Sequence, residues 1–154
     1  MTGQRVAYDT NILVYLEALA RHPDDAAKIK TARILHGELA SLCTCVAPQQ
    51  VLGELYSVLA KAKGDREIAR QRLNAFIEEF ETAVPDTATF MAAIDLATEH
   101  KLQFWDSLIL ATAVSGGCTL LLSEDMQDGF AWRGVTVVNP FAAKMHKRLA
   151  RVLE

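Results

Sequence analysis

The chain has 154 residues, of which 51% are hydrophobic and 23% are charged, and its formal net charge at pH 7 is −3. This length and balance predict a single globular domain over residues 1–154, exclude a disordered chain, and argue against nucleic-acid binding over the whole surface, while leaving room for a local basic patch. No apolar run approaches the roughly 18–20 residues that cross a membrane, and the first residues lack a signal-peptide core, so we expect a soluble, cytoplasmic protein.

In chain order, short apolar segments typical of strands alternate with longer segments of helical period. The predicted strands cover residues 5–9, 44–47, 82–84, 118–122 and 135–138. Apolar residues recur at helical spacing in two of the intervening segments: Ala69, Leu73, Phe76, Ile77 and Phe80 in one, and Phe90, Ile94 and Ala97 in the other. This alternation predicts an α/β fold with a parallel sheet of about five strands and helices on both faces.

Several helix boundaries are marked by their residue types. Pro48 is typical of a helix's first turn, and Asp65 and Asp86 are typical of N-caps or first turns. The segment Phe104–Ser115 is apolar nearly all round after its first turn. Such a pattern predicts a central helix that is buried on more than one side.

A terminal helix is predicted over about residues 141–153. Its basic residues fall at i, i+3, i+4 and i+7, namely Lys144, Lys147, Arg148 and Arg151. An apolar face lies beside this stripe and consists of Phe141, Met145, Leu149 and Val152. Either the stripe is the solvated side of a packed helix, or it contacts an RNA backbone or a protein partner.

The three cysteines, Cys43, Cys45 and Cys118, all lie among apolar residues. Their number is odd, and no further Cys or His pair completes a zinc-binding spacing. We therefore expect free cysteines in the core of a protein from a reducing compartment.

Acidic residues recur where the predicted strands end. Asp9 closes the first strand, and Asp125 follows the fourth. Glu54 lies on the helix after the second strand, at the edge of its apolar stripe, and Asp106 begins the central helix. Each also has a plain structural interpretation, as a helix cap or first-turn residue, as a boundary residue that reaches water, or, for Asp125 and Asp128, as a loop acid.

Together, these four acids are predicted at the edge of the sheet where ligands of open parallel sheets bind. Carboxylates packed together repel and raise one another's pKa unless a cation compensates. Because oxygen ligands without His or Cys favour Mg²⁺ or Mn²⁺ over zinc or copper, the pattern predicts a site for such an ion.

Four blocks of the sequence resemble the PIN-domain family, and in particular the VapC-type toxins of bacterial toxin–antitoxin pairs. They are YDTNILVY at residues 8–15, GEL at 53–55, WDSLILATA at 105–113 and LLSED at 121–125. The resemblance extends over residues 6–138 and implies a three-layer α/β/α fold that cleaves RNA with Mg²⁺ or Mn²⁺. It matches the family's acids to Asp9, Glu54, Asp106 and Asp125, with Asn11 and Ser123 as small polar residues beside the metal. Glu124 and Asp128 are close enough in sequence to replace Asp125.

The implied chemistry is hydrolysis of a phosphodiester bond that leaves 5′-phosphate and 3′-hydroxyl ends. A divalent ion makes water a usable nucleophile near neutral pH, and two ions about 4 Å apart could stabilise both reacting oxygens. We expect Asp9 and Asp106 to be the principal ligands, with Glu54 and Asp125 holding a second ion or orienting water. The four histidines, His22, His36, His100 and His146, are scattered, which argues against a metal-free ribonuclease.

An acidic pocket needs positive charge nearby to hold RNA. Lys61, Lys63 and Arg66 follow Glu54 along the chain and are candidates for substrate binding. The resemblance also implies a homodimer and a cognate antitoxin that blocks the acidic groove, often with an Arg or Lys. Four apolar residues before the second strand could cover the surface that contacts the second protomer or the antitoxin, or they could equally be core: Ile29, Ile34, Leu35 and Leu39.

Two other functions are compatible with parts of the pattern. A phosphotransferase with an Asp nucleophile after its first strand would carry a second Asp two residues later, but Asn11 stands there. The second function is that of a catalytically silent PIN-fold module that only binds RNA or protein. Retention of all four acids argues against that module, because an unused carboxylate cluster costs stability.

Overall fold

The computed structural model describes residues 3–154, which form six strands and seven helices. The strands are β1 (Arg5–Tyr8), β2 (Thr44–Pro48), β3 (Glu81–Ala83), β4 (Leu120–Leu122), β5 (Ala131–Trp132) and β6 (Val135–Val138). The helices are α1 (Thr10–Leu16), α2 (Asp25–Leu42), α3 (Gln49–Lys63), α4 (Arg66–Glu79), α5 (Thr87–His100), α6 (Phe104–Ser115) and α7 (Lys147–Leu153).

All strands belong to one sheet with the order β3-β2-β1-β4-β6-β5, and every pairing in it is parallel except that of β5 with β6. The five predicted strands are confirmed, although most begin or end one or two residues from the predicted bounds. β1 lies in the middle, and Val6, Ala7 and Tyr8 are almost completely buried, as expected for a parallel strand covered on both faces.

The helices cover the two faces of the sheet. The chain moves from β1 to β2 to β3 in one direction and then crosses back to β4. Because such crossovers are right-handed, the helices of the first two connections and those of the third lie on opposite faces. In agreement, α1 packs on α2 and α3, α3 packs on α4, and α5 packs on α6. The predicted three-layer α/β/α fold is confirmed.

The sixth strand, β5, was not predicted from the sequence. It forms a tight hairpin with β6 through Arg133 and Gly134, whose φ angles are +45° and +89°. Two central residues with positive φ are what a two-residue hairpin loop of type I′ requires, and Gly134 adopts this conformation without strain. With only two residues, β5 is too short to leave a periodic signal.

The terminal helix is shorter than predicted. It begins at Lys147 instead of residue 141, because two side chains fix the preceding segment as a loop. Asn139 accepts a hydrogen bond from the Phe141 N–H, and His146 caps the helix by accepting one from the Arg148 N–H. The predicted basic stripe was therefore wrong at Lys144, which precedes the helix, while Lys147, Arg148 and Arg151 lie on it.

The apolar face that was predicted beside this stripe is also divided. Leu149 is buried and Val152 is half-buried, but Met145 precedes the helix and is 51% exposed. Phe141 also lies before the helix and packs against Tyr15, with ring centroids 5.3 Å apart. The short helix thus contacts the core mainly through Leu149.

Helix α5 buries a different face from the one its largest apolar residues suggest. Phe90 and Ile94 are 44% and 37% exposed, whereas Ala93 is completely buried. Ala93 packs against Leu108 and Ala111 of α6. The buried face of α5 thus runs through Thr89, Ala93 and Leu96, and not through Phe90 and Ile94.

The cysteines are free thiols, as predicted. Cys45 and Cys118 are buried and Cys43 is half-buried. No helix within residues 3–154 combines the length and the hydrophobicity that crossing a membrane requires.

Candidate active site

The candidate site lies at the edge of the sheet where β1, β2 and β4 have their carboxyl ends. Asp9 follows β1 directly, and Ser123 and Asp125 follow β4. Glu54 is on α3, which begins where β2 ends, and Asp106 is in the first turn of α6. Since the strands are parallel, these four acids are brought to a common edge from positions far apart in sequence.

Asp9 is the most buried of these acids, with 5% of its surface exposed. Its Oδ1 accepts a 2.7 Å hydrogen bond from the Thr10 N–H, and its Oδ2 accepts one of 2.7 Å from the Ser123 hydroxyl. Burial raises the pKa of Asp9 to about 6, the two hydrogen bonds oppose this rise, and the charges of Asp106 and Asp125 add to it. Asp9 is also the N-cap of α1, so the predicted role as a helix cap is confirmed. The same residue therefore caps a helix and lies among the other acids.

Glu54 is exposed and is held by one hydrogen bond, 2.5 Å long, that its Oε2 accepts from the Thr10 hydroxyl. Thr10 therefore contacts two acids at once, Asp9 through its backbone and Glu54 through its side chain. The sequence reasoning missed this role, although a threonine directly after Asp9 is a visible signal.

Asp106 is half-buried and shares its surroundings with two of the other acids. Burial raises its pKa first, and the charges of Asp125 and Glu54 raise it further. The charges of Asp106 and Asp125 likewise act on Asp9, so Asp9 and Asp106 each lie close to other acids of the cluster.

The structure distinguishes three acids of the loop after β4. Glu124 is held by three donors: the Tyr15 hydroxyl at 2.5 Å, the Lys28 ammonium at 2.8 Å and the Asn11 amide at 3.2 Å. Asp128 accepts a hydrogen bond from the Asn139 N–H and so ties down the loop before α7.

Asp125, in contrast, is exposed and accepts one side-chain hydrogen bond, 2.9 Å long, from the Asn11 amide. Burial and the charge of Glu124 raise its pKa, while Arg21 and Lys28 lower it. Its oxygens are therefore more available for a further ligand than those of Glu124, which three donors hold.

Two basic side chains reach this edge from the start of α2 and the segment before it. Lys28 pairs with Glu124, and Arg21 donates a 2.8 Å hydrogen bond to the Asn11 Oδ1. The spacing of residues in the sequence could not predict that Lys28 and Arg21 reach this edge, because their positions depend on the path of the chain between α1 and α2.

The basic residues that were predicted to bind substrate are exposed. Lys61 and Lys63 are in the last turn of α3, and Arg66 begins α4. Lys61 is on the Glu54 side of α3, about 10 Å farther along the helix axis, at 1.5 Å per residue. No ion pair within residues 3–154 joins any of these three cations to the four acids.

The donor chemistry fits a hard divalent cation. Four carboxylates, with Asn11 and Ser123 beside them, are the ligand types that Mg²⁺ and Mn²⁺ prefer. Burial raises the pKa values of Asp9, Asp106 and Asp125, and the negative charges of neighbouring acids, which a cation would offset, raise them further. As the side chains stand, no three carboxylate, imidazole or thiol groups in residues 3–154 form a ready-made metal site. One or two of the carboxylates would therefore hold the ion together with water molecules, as is usual for Mg²⁺.

A family model described as PIN domain matches residues 6–130 of the chain. Comparison of the sequence with curated proteins gives no match. Among solved structures, a toxin–antitoxin complex from Klebsiella pneumoniae is similar at 23% identity with a TM-score of 0.63, over 88% of this chain and 98% of that chain.

Two further structures share the fold. VapBC2 from Rickettsia felis, bound to a DNA fragment from its promoter, is 21% identical with a TM-score of 0.65, over 87% of this chain and 97% of that one. VapC20 from Mycobacterium tuberculosis, a toxin that cleaves the sarcin–ricin loop, is 19% identical with a TM-score of 0.58, over 78% and 91% of the two chains. At these identities the likeness establishes the architecture.

Proposed function

The chain belongs to the PIN-domain family, and from this premise we propose that it is a Mg²⁺- or Mn²⁺-dependent endoribonuclease. The observation that carries the proposal is the convergence of Asp9, Glu54, Asp106 and Asp125 on one sheet edge, where three of them have raised pKa values. A structural cap or a solvated surface acid has no need of such neighbours.

Each acid has a distinct part in the proposed site. Asp9 is the fixed point, because Thr10 and Ser123 hold both of its oxygens. Glu54 and Asp125 are more exposed and less restrained, so they can turn toward a cation or a water molecule. When bound, the divalent ion would supply Lewis-acid activation of water and offset charge on the phosphate. Asn11 would keep Asp125 oriented through their 2.9 Å hydrogen bond.

The biological role we propose is that of a toxin restrained by a cognate antitoxin. Support comes from the fold that the chain shares with proteins described as toxins and as toxin–antitoxin complexes. An antitoxin Arg or Lys could pair with the exposed carboxylates of Glu54 and Asp125. RNA as substrate and a homodimeric assembly belong to the same proposal.

The test is cleavage of a mixed RNA pool by the purified protein and by its Asp9→Asn variant, with Mg²⁺, with Mn²⁺ and with EDTA. Sequencing of 5′-phosphate ends then maps the sites. We expect cleavage that requires both the metal and Asp9. If folded, metal-loaded wild-type protein leaves every RNA intact, the nuclease proposal fails and a silent binding module replaces it.

A further inference from the structure

A cavity of about 380 Å³ lies beside the acidic cluster, between α3 and the start of α6. Its lining consists of Gln50, Gly53, Glu54, Ser57 and Trp105. Because Glu54 belongs both to the cavity wall and to the acidic cluster, the cavity is continuous with the candidate active site. Apart from the indole of Trp105, the side chains that line the cavity are polar or small.

Trp105 is 57% exposed, although tryptophan is ordinarily well buried in proteins. It directly precedes Asp106, and it packs edge-on against Phe104 with the ring centroids 5.1 Å apart. Phe104 in turn packs against Phe90 at 5.2 Å. The indole is thus supported from within the protein, while much of its surface faces solvent beside the acidic residues.

Gln50 also lines the cavity, and its amide is held in one orientation. The Thr112 hydroxyl donates to the Leu108 carbonyl at 2.7 Å, so it can only accept from the Gln50 amide nitrogen, which lies 3.0 Å away. This arrangement fixes the orientation of the amide. Gln50 Oε1 is then left buried without a hydrogen-bond partner in the described part of the chain, so a ligand amino group would pair with it only after the side chain turned toward the cavity.

The face of α3 beside the cavity also carries a positively charged residue farther along the helix. Ser57 and Lys61 follow Glu54 at intervals of three and seven residues, which places all three on one side of the helix. An aromatic surface, hydrogen-bond acceptors and a nearby ammonium group match a nucleotide, whose base stacks and donates while its phosphate is negative. A purely apolar partner would leave the acceptors unpaired.

We propose that this cavity binds one unpaired nucleobase next to the scissile phosphate, with the base stacked on Trp105. The inference rests on the proposed nuclease function, since RNA is the ligand. Stacking of this kind predicts that loss of the indole weakens binding of single-stranded RNA about 5- to 150-fold. A base held in a duplex cannot reach the cavity, so loss of the indole should leave the affinity for duplex RNA unchanged.

Binding is measured apart from cleavage, in EDTA, by tryptophan fluorescence of the Trp132→Phe protein, in which Trp105 is the remaining tryptophan. Short single-stranded RNA of random sequence should quench this emission, and the same RNA in a duplex should not. Trp105→Ala should weaken binding, measured by polarisation of labelled RNA, and Trp105→Phe should weaken it less. Thermal unfolding of each variant verifies that it is folded.

A mapped substrate with an abasic position at each nucleotide around the cut provides the second arm. We expect one abasic position to reduce kcat/KM for the wild type and to have little further effect on Trp105→Ala. The inference is overturned if RNA fails to quench the emission, or if Trp105→Ala binds RNA as tightly as the wild type. It is also overturned if Trp105→Ala loses affinity for a protein partner but not for RNA. Trp105-dependent RNA binding without any cleavage would instead refute the nuclease proposal and leave the base site standing.

Discussion

The Ser123 hydroxyl donates a 2.7 Å hydrogen bond to the Asp9 carboxylate, and so links the residues that directly follow β4 and β1. The backbone reinforces the link, because the Asp9 N–H donates to the Leu122 carbonyl at 2.9 Å. Ser123 is completely buried. A side chain that was predicted only to lie beside the metal site is therefore a direct support of its most buried acid.

Replacement of Ser123 by alanine should weaken both the fold and the acidity of Asp9. Loss of a donor to a buried carboxylate costs about 1–3 kcal/mol of unfolding free energy. Because this hydrogen bond lowers the pKa of Asp9, its loss should move that pKa above 6 and shift the acid limb of the kcat/KM profile to higher pH. Ser115→Ala, at an exposed helix end, is the control, and an unmoved acid limb would contradict the prediction.

Asp9→Asn should stabilise the metal-free protein at high pH. The pKa of Asp9 is about 6 in the folded protein, against an ordinary value of 3.8 for an aspartate carboxyl, so the folded state binds the proton more tightly. Ionised Asp9 therefore destabilises the fold by up to about 3 kcal/mol above pH 6, and this cost vanishes below about pH 4. Urea unfolding in EDTA at several pH values measures the difference. A stability difference that is constant with pH, or one equalled by the surface variant Asp95→Asn, would disprove this account.

Divalent metal should stabilise the wild type and leave Asp9→Asn nearly unchanged. A ligand that binds only the folded state at 100 times its Kd adds about 2.7 kcal/mol to the unfolding free energy. Calorimetric unfolding with and without Mg²⁺ or Mn²⁺ is the measurement. Since a raised pKa leaves part of Asp9 protonated near pH 6, metal binding there should also release protons. Equal stabilisation of both proteins would place the ion elsewhere.

Thr10→Val should reduce cleavage with little loss of stability. Valine keeps the size and the backbone N–H that donates to Asp9, but it lacks the hydroxyl that orients Glu54. Loss of such a supporting contact typically costs about 10- to 100-fold in activity or metal affinity. Thr10→Ser restores the hydroxyl and should recover most of the activity. If serine fails to rescue kcat while the protein is folded, the contact has no positioning role.

The three acids after β4 should differ in the consequences of their removal. Asp125→Asn should abolish most cleavage and preserve stability, since Asp125 is exposed and has one side-chain donor. Glu124→Gln should mainly lower stability, because it breaks the charge pair between Lys28 and a side chain that is 13% exposed. Asp128→Asn serves as the matched loop control. Cleavage and urea unfolding are measured on all three, and a reversed order for Asp125 and Glu124 would make Glu124 the fourth acid of the site.

Five of the six strands and the positions of the acids were readable from the sequence, because parallel strands are buried on both faces and end abruptly in polar residues. Asp65 and Asp86 cap α4 and α5 as predicted, each accepting hydrogen bonds from backbone N–H groups of the first turn. Caps of this kind are local, so a few residues of sequence contain all the information that determines them.

Other features depend on contacts between distant segments and left no periodic signal. Lys28 meets Glu124 across 96 positions of sequence, and no pattern relates the two. The inward face of α5 is set by close packing of Ala93 on α6, which the larger Phe90 and Ile94 conceal. The start of α7 is set by Asn139 and His146, whose hydrogen bonds override the apolar repeat that suggested a longer helix.

The central position of β1 has a consequence for the order in which the protein matures during translation. β1 leaves the ribosome before β4, and its pairing of Val6 with Leu120 needs a partner made more than a hundred residues later. Until β4 emerges, one side of β1 stays unpaired, and Asp9 lacks both Ser123 and its neighbour Asp125. A nascent chain that ends before β4 therefore carries no assembled acidic cluster, and the cell that synthesises the protein meets the complete site only after β4 and the residues that follow it have been made.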